Sequence, residues 1–593
     1  VSLLLLSAVS TALLTGPALD DWTVPSATVA SLGAERCATC HRGVVKSYTL
    51  SGMARALGLI QLGELGDLDP VQDGPAAITY AFAETQGASP WITESWKSGM
   101  GAERHTVRRK LPLLFRIGAG ILDRSYAARH GRSMWFAPLE VLSTSAHGER
   151  HAVLAPGHMM VPGSRFTTPI SIECLACHTG ALPPETYPHN LLPPEDWQPT
   201  GIACVVCHGR AEAHADWRDQ ELAGEAPAVP DPILRHDNLD LSAQLSMCAR
   251  CHLQGDARIA LKPGLRGISA PGVNHLEEWA VYLPSNSDGD VAFVSQTERM
   301  MRSRCFTESL KSRPMTCITC HDPHRSLTVA GESQAVRDAC LDCHGESRAL
   351  ARACAMAKEE RTGERDCVAC HMPKTQVFDV DGVEIRDHFV RIQSASPERG
   401  PLRIKHCRDG LLEPVVWPGG DAAALQADFG LQLMAAIIAR QSQSAKDLVD
   451  FPPGSISKGL PSYHHLRGRL LEELGRMDHA RESYERAIAL DSDAPETRVN
   501  LALMLGALGR VAEGIGILDA LLERYPGAEG ALRNRAILRL NSGDGAGFAA
   551  DLMAAQRLLP RASLARALAS YYRQLGELGE ASAWEDEAGR LEP

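Results

Sequence analysis

Seven times in 593 residues the chain repeats the pattern Cys-x-x-Cys-His: CATCH at 37–41, CLACH at 174–178, CVVCH at 204–208, CARCH at 248–252, CITCH at 317–321, CLDCH at 340–344 and CVACH at 367–371. For a chain with 17 Cys and 22 His, chance supplies about 0.02 such copies. The seven consume 14 of the 17 cysteines. No other feature restricts the fold as strongly, because whatever these motifs hold has to be accommodated seven times between residues 37 and 371.

The spacing has a chemical reason. Two thiols three residues apart can each form a thioether to one of the two vinyl groups of a porphyrin, and the histidine that follows then sits under the iron. The motifs therefore predict seven covalent c-type haems, attached at Cys37 and Cys40, Cys174 and Cys177, Cys204 and Cys207, Cys248 and Cys251, Cys317 and Cys320, Cys340 and Cys343, and Cys367 and Cys370. The proximal ligands are His41, His178, His208, His252, His321, His344 and His371. Structural zinc also uses Cys-x-x-Cys pairs but does not require His after every second Cys. A disulfide framework leaves those seven histidines without a role. Cys305, Cys354 and Cys407 remain, and Cys305 with Cys354, both flanking motifs, is the favoured pair for a disulfide in an oxidising compartment.

An iron held by one histidine takes a second protein ligand or binds a small molecule. Fifteen histidines lie outside the motifs, and three of them (His464, His465, His479) fall in a helical C-terminal region. Twelve for seven irons is ample, which favours electron transfer over an open site. His324 ends the run CITCHDPH, with Pro323 stiffening the link. Since His321 already occupies its own haem, His324 reads as a strap to a neighbouring haem. His214, in CHGRAEAH, and His388, in RDHFVRI, are the other distal candidates. His130, His147, His151 and His236 read as surface residues or as histidines that support a site without ligating it.

Aromatic residues make up only 5% of the chain, so large flat apolar bodies have to come from elsewhere, and porphyrins would supply them. A formal charge of −12 and the lack of a basic block exclude a nucleic-acid role. The run Leu3–Leu14 suits a signal-peptide core, which predicts a signal peptide over residues 1–20 and export to a periplasmic, extracellular or cell-surface location. Peripheral membrane association is compatible with this reading.

All motifs fall within residues 21–400, expected to be short helices and irregular loops wrapped on haems, a mainly α, haem-packed cytochrome domain. The long gap between the first two motifs contains HTVRRKLPLLFRIGAG and GRSMWFAPLEVL, which predict strands with glycine turns and hence a small β-containing insertion. Residues 401–420 read as a Pro- and Gly-rich linker. Beyond it Gly468, Ala502 and Ala536 recur every 34 residues, as do Gly475, Gly509 and Gly543, and Pro526 and Pro560. A fourth unit fits through Ala569, Tyr572, Gly576, Ala581 and Ala588 after a one-residue deletion. This period predicts a tetratricopeptide (TPR) α-solenoid over residues 421–593, with helices near 421–450 capping the stack.

Through SGMARAL, FRIGAGILDRSY, LAPGHMM, TTPISIECLACH, GIACVVCHG, RSRCF, MTCITCHDPH, DCVACHMPK and DHFVRI, the chain resembles multihaem c-type cytochromes of the doubled-CXXCH type with a C-terminal TPR region. The resemblance implies exported electron-carrying proteins and places a methionine ligand at Met53, within a stretch of helical periodicity. Two elements depart from it: GAGILDRSY lacks an expected histidine, and so does DVDGVEIRDH before His388. Electron transfer between extracytoplasmic redox proteins, with the solenoid docking a partner, is the leading expectation. The alternative is a multihaem oxidoreductase acting on a small nitrogen or sulfur compound at one open haem.

Overall fold

The computed structural model describes residues 34–84, 89–98, 105–143, 150–156, 164–183, 187–285, 291–326, 332–345, 367–377, 380, 383–392 and 411–591. The expected signal peptide, Cys354, Cys407 and His147 lie outside the described residues.

The gap between the first two motifs is filled by strands β1 (Leu57–Gly58), β2 (Val71–Asp73), β3 (Ile78–Ala83), β4 (Trp91–Ser98), β5 (His105–Ile117), β6 (Asp123–His130), β7 (Ser133–Phe136), β8 (Leu139–Ser143) and β9 (Arg150–Leu154). They form one nine-stranded antiparallel sheet in the order β2-β3-β4-β5-β6-β8-β9, with β1 added to β5 and β7 to β6. The expectation of a small insertion is corrected: this sheet is the central plank of the molecule. Its strands alternate as a half-buried sheet should, with Ile78, Tyr80 and Phe82 facing inward on β3. The second half of β5 instead reads LPLLFRI and is buried on nearly every residue from Leu111 to Ile117. It crosses a register shift between Leu113 and Phe115 and contributes to a core on each face. One core takes in Leu175, inside the second motif. The other takes in Leu559, from the C-terminal region.

Five short strands follow: β10 (Ala257–Ala260), β11 (Trp279–Pro284), β12 (Lys374–Gln376), β13 (Glu384–Arg386) and β14 (Leu412–Pro414). β10, β11 and β14 make a three-stranded sheet, and β12 pairs with β13. β14 corrects the linker reading. Leu412–Pro414 pairs with Tyr282–Pro284, Val415 donates to the Val281 carbonyl, and Trp417 is buried with its Nε1 2.7 Å from Asn274 Oδ1. Proline and glycine in this stretch mark turns around a buried strand rather than a free connector.

The C-terminal region is a helical solenoid. Helix pairs run Pro461–Glu473 with Met477–Leu490, Pro495–Ala507 with Val511–Arg524, Glu529–Asn541 with Gly545–Leu558, and Ala562–Gln574 with Leu578–Leu591. The glycine register has a conformational cause. Gly475, Gly509, Gly543 and Gly576 each sit between the two helices of a pair at φ of +73°, +80°, +87° and +80°, the left-handed conformation that ends a helix at least cost to glycine. The helix Phe429–Ile438 precedes the stack. Asp428 caps it through Gly430 and Leu431 N–H and also accepts from Gly454, Ile456 and Ser457 N–H.

The solenoid and the motif-bearing region are not separate bodies. Leu431, Met434 and Tyr463 share a core with Ala257, Ile259, Ala280 and Tyr282 of the three-stranded sheet. The far ends of the second helices of the last three pairs meet the motif-bearing region. Tyr525 packs edge-on against Tyr187, Leu558 O accepts from Arg132 N–H at 2.9 Å, and Leu591 O accepts from Arg165 at 2.6 Å. One contact comes from each of these three pairs, so this edge of the solenoid is seated over them. Arg165 in turn pairs with Glu94, a fully buried carboxylate that also holds Arg109 at 2.5 Å.

Two predictions follow from this shared packing. Leu559→Ala should cost about 2–5 kcal/mol and lower a single unfolding transition seen alike by probes of sheet and helix. Two separated transitions would show that the regions fold independently. His130, packed against Phe166 at the sheet–solenoid junction, is pushed down to about 3 by burial and then by Arg109 and Arg165. The unfolded chain therefore binds a proton there between pH 6.5 and 3 that the folded chain does not. Stability should fall with pH through that window by up to about 1.4 kcal/mol per unit from this residue, and His130→Phe should remove that share of the slope in denaturant titrations.

Candidate functional site

In a helix, residues i and i+3 share a face and i+4 lies close by, so a Cys-x-x-Cys-His run on helical backbone points both thiols and the imidazole to one side. The motifs use this. The first lies in the helix Ala34–Tyr48, which kinks at His41 (φ −111°, ψ +34°). The third and seventh form the helices Cys204–His208 and Cys367–His371. The fourth and sixth end the helices Leu241–His252 and Glu332–His344. The second lies in and just beyond Ile172–Leu175, and the fifth starts a 3₁₀ turn at Cys317–Thr319.

All 21 motif cysteines and histidines open on one continuous cavity of about 5190 Å³. That is several times the ~300–1,000 Å³ of a single-ligand pocket. The motifs lie against one another: the Cys37 thiol neighbours that of Cys204, Cys177 that of Cys251 and Cys248 that of Cys317, and the Cys305 and Cys343 thiols act on Cys320. Cys305 lies on the cavity wall and forms no disulfide among the described residues.

The sequence-selected distal histidines also reach this cavity. His214 stacks on His41 with ring centres 6.4 Å apart and planes 24° apart. His324 faces His208 at 6.0 Å and 5°. His388 faces His321 at 6.2 Å and 40°. Two imidazoles sharing one metal, each bonded at roughly 2 Å, hold their ring centres about 6 Å apart. His324, three residues beyond its own motif, thus lies opposite the histidine of another motif, with Tyr48 edge-on beside it.

The other ring nitrogen is held in each case. His214 Nδ1 lies 2.7 Å from Asp231 Oδ1, His388 Nδ1 3.0 Å from the Arg386 carbonyl and His324 Nδ1 3.5 Å from Asp322 Oδ1. Among the motif histidines, Nδ1 of His208 meets the Leu234 carbonyl, that of His371 the Arg391 carbonyl, that of His178 the Ala56 carbonyl and that of His252 Gln296 Oε1. Nδ1–H then donates and Nε2 carries the lone pair, the arrangement that orients a metal-binding imidazole. Burial lowers the pKa of His178, His252 and His324, and of His388 to about 4 with His321 adding to it, so these rings are neutral at pH 7. Away from the cavity the bonding is mixed: His189 and His464 use Nε2, on Glu496 and the Lys458 carbonyl, whereas His275 and His465 use Nδ1, on Ser269 and Thr497.

Three more residues singled out in the sequence line the cavity. His151 and His236, read as surface or supporting histidines, lie on its wall, His151 exposed and His236 half-buried. His151 does so because it registers with Leu142, which registers with Asp123, and the three share one face of the sheet. Alternation in the strand RHAVL was the available signal for His151, and no spacing marks His236. Met53 also lines the cavity, but in turns beyond the helix that ends at Tyr48. Its carbonyl accepts from Ile202 N–H at 3.0 Å, and the helical periodicity expected around it is interrupted at Thr49.

Known proteins are similar to parts of the chain. Residues 311–349 match the doubled CXXCH motif family and residues 461–494 a tetratricopeptide repeat. The multiheme cytochrome MtrA of Shewanella baltica (strain OS185) is 25% identical over 154 residues, 25% of this chain and 44% of that protein, so the chain spans less than half of that relative's length. Among solved structures, MamA AMB-1 C2221 is 18% identical and covers 29% of this chain and 100% of its own (TM-score 0.25). YrrB, a TPR protein with an unusual peptide-binding site, is 18% identical and covers 23% of this chain and 70% of its own (TM-score 0.21). The paired motif at 311–349 implies covalent c-type haem binding. Among the described residues, no helix is long and apolar enough to cross a membrane.

Proposed function

We propose that the chain carries electrons between extracytoplasmic redox partners through seven covalently bound c-type haems. The observation that carries this reading is the pairing of three motif histidines with second cavity histidines at 6.0–6.4 Å. Bound haem iron supplies the ferric–ferrous couple. The protein supplies the rest. Its thiols tether each ring, its Nδ1 acceptors fix each imidazole, and the contacts between motifs keep neighbouring sites close enough for electrons to pass from one to the next. In this reading His214 completes the site of His41, His324 that of His208 and His388 that of His321. Asp231 holds His214 by its Nδ1 and so orients the ring for ligation through Nε2. Met53 is the candidate thioether ligand, and a soft sulfur raises the potential of the site it joins.

The solenoid has the second task of receiving a redox protein. Its seated edge is unavailable, whereas Ile537 and Leu540, on the first helix of the third pair, are 44% and 47% exposed. Apolar side chains presented on a solenoid surface suit a protein contact.

The seven-haem reading is tested by the Cys317→Ala/Cys320→Ala double variant, which should carry one haem fewer by pyridine haemochrome and intact mass. An unchanged count would reject the assignment of that motif. His324→Ala should leave the haem at Cys317 and Cys320 low-spin and turn the one at Cys204 and Cys207 high-spin in EPR. Perturbation of the His321 site instead would reject the crossed pairing. Met53→Ala should abolish a far-red Met–ferric charge-transfer band, and persistence of that band would exclude Met53.

A further inference from the structure

The segment Asp387–Arg391 bears more on the cavity than its one histidine suggests. His388 faces His321, and the carbonyl of Arg391, three residues on, holds His371 Nδ1 at 3.1 Å. The segment has little regular structure of its own, since β13 ends at Arg386. It is held instead by the helix Gln296–Met301. Arg299 reaches it with a two-pronged contact, Nε to Asp387 Oδ1 at 2.8 Å and a terminal nitrogen to Oδ2 at 2.5 Å. Both side chains are almost wholly buried, at 3% and 4% exposed. Asp387 Oδ1 also accepts from Phe389 N–H at 2.9 Å. Just beyond the helix, Ser303 Oγ donates to the His388 carbonyl at 3.2 Å and accepts from Val390 N–H at 2.8 Å. Three guanidinium groups, of Arg299, Arg302 and Arg391, surround the Phe389 ring at 5.5, 5.6 and 4.4 Å.

A buried ion pair is a poor way to add stability, because desolvation cancels most of the attraction and apolar residues of similar volume often do as well. Its strength is geometric. A bidentate guanidinium–carboxylate contact fixes direction as well as distance. Arg299 lies three residues from Gln296, the acceptor of His252 Nδ1, so one short helix fixes parts of two neighbouring sites.

We propose that the Arg299–Asp387 pair is a positioning device that keeps His388 on the iron held by His321, and that loosening it opens this one haem to small exogenous ligands. The proposal rests on reading His321 and His388 as an axial pair. Asp387 and Arg299 are thereby positioning residues, acting on the iron only through His388.

The test uses the full-length protein with its haems. Asp387→Asn keeps an acceptor for Phe389 N–H while removing the charge, and Arg299→Lys keeps the charge while removing the fork. Each should retain the wild-type haem count, convert one haem equivalent from low- to high-spin in EPR, and bind one equivalent of carbon monoxide when reduced. Added imidazole should restore the low-spin signal. His388→Ala should behave the same way. Arg165→Lys, which weakens the buried contact to Glu94 in the large sheet, should lower stability without creating a carbon monoxide site, so general destabilisation is separated from positioning. If His388→Ala gains carbon monoxide binding while Asp387→Asn and Arg299→Lys stay fully low-spin, the positioning role is wrong. Loss of the haem at Cys317 and Cys320 from both variants would overturn it as well. If His388→Ala itself gains no site, the axial pairing is wrong.

Discussion

The cavity depends on the hydrogen bonds that take up one nitrogen of its imidazoles. A histidine ring turns freely about two bonds, and either nitrogen can carry the proton. Tying Nδ1 to a carbonyl or carboxylate removes both freedoms and leaves Nε2 as the ligating atom. Here the acceptors come from several parts of the chain: Leu234 for His208, Asp231 for His214, Ala56 for His178, Gln296 for His252 and Arg391 for His371. Most lie well away in sequence from the ring they hold. Orientation of the sites is therefore a property of the folded chain, and it explains why residues outside the motifs, such as 231–238 and 383–392, are packed in with defined paths.

The large sheet and the solenoid supply the rigidity that a cavity of this size lacks by itself. A wall made of short helices and turns buries few side chains of its own. The sheet gives that wall a backing, with one face meeting the second motif through Leu175 and the other meeting the solenoid through Leu559. The solenoid is in turn joined to the motif-bearing region at a second place, through Tyr282, Leu431 and Tyr463. A repeat domain that in other settings is a detachable docking module is here part of the frame, and only its unseated surface remains for partners.

Charge is used sparingly within this frame and mostly to fix geometry. Glu94 is wholly buried between Arg109 and Arg165, and Asp387 is buried against Arg299. Asp428 accepts five backbone N–H bonds where the first solenoid helix begins. Each binds segments distant in sequence, and each has directional partners that apolar packing could not replace with the same precision of placement.

The local chemistry was legible in the sequence. The attachment pattern, its seven positions, the candidates His214, His324 and His388 and the 34-residue register are all short-range regularities, set by bond lengths, helix geometry and the need for glycine at left-handed turns such as Gly475. What was not legible depends on long-range packing. Residues 411–420 look like a linker, because the proline and glycine that shape turns around β14 are the same residues that loosen a free connector; only pairing with Tyr282–Pro284 distinguishes the two. The sheet looked small because its strands are short and separated by loops, and their joining into nine is a matter of partners. His151 is exposed, as the sequence suggests, and only its register with Leu142 shows that it lies on the face of the sheet that borders the cavity. The sequence by itself determined which residues can bind and at what spacing, because that chemistry is local. Which histidine meets which, and what holds each ring, was decided only by the tertiary structure, because those contacts join residues up to 173 positions apart, as from His41 to His214.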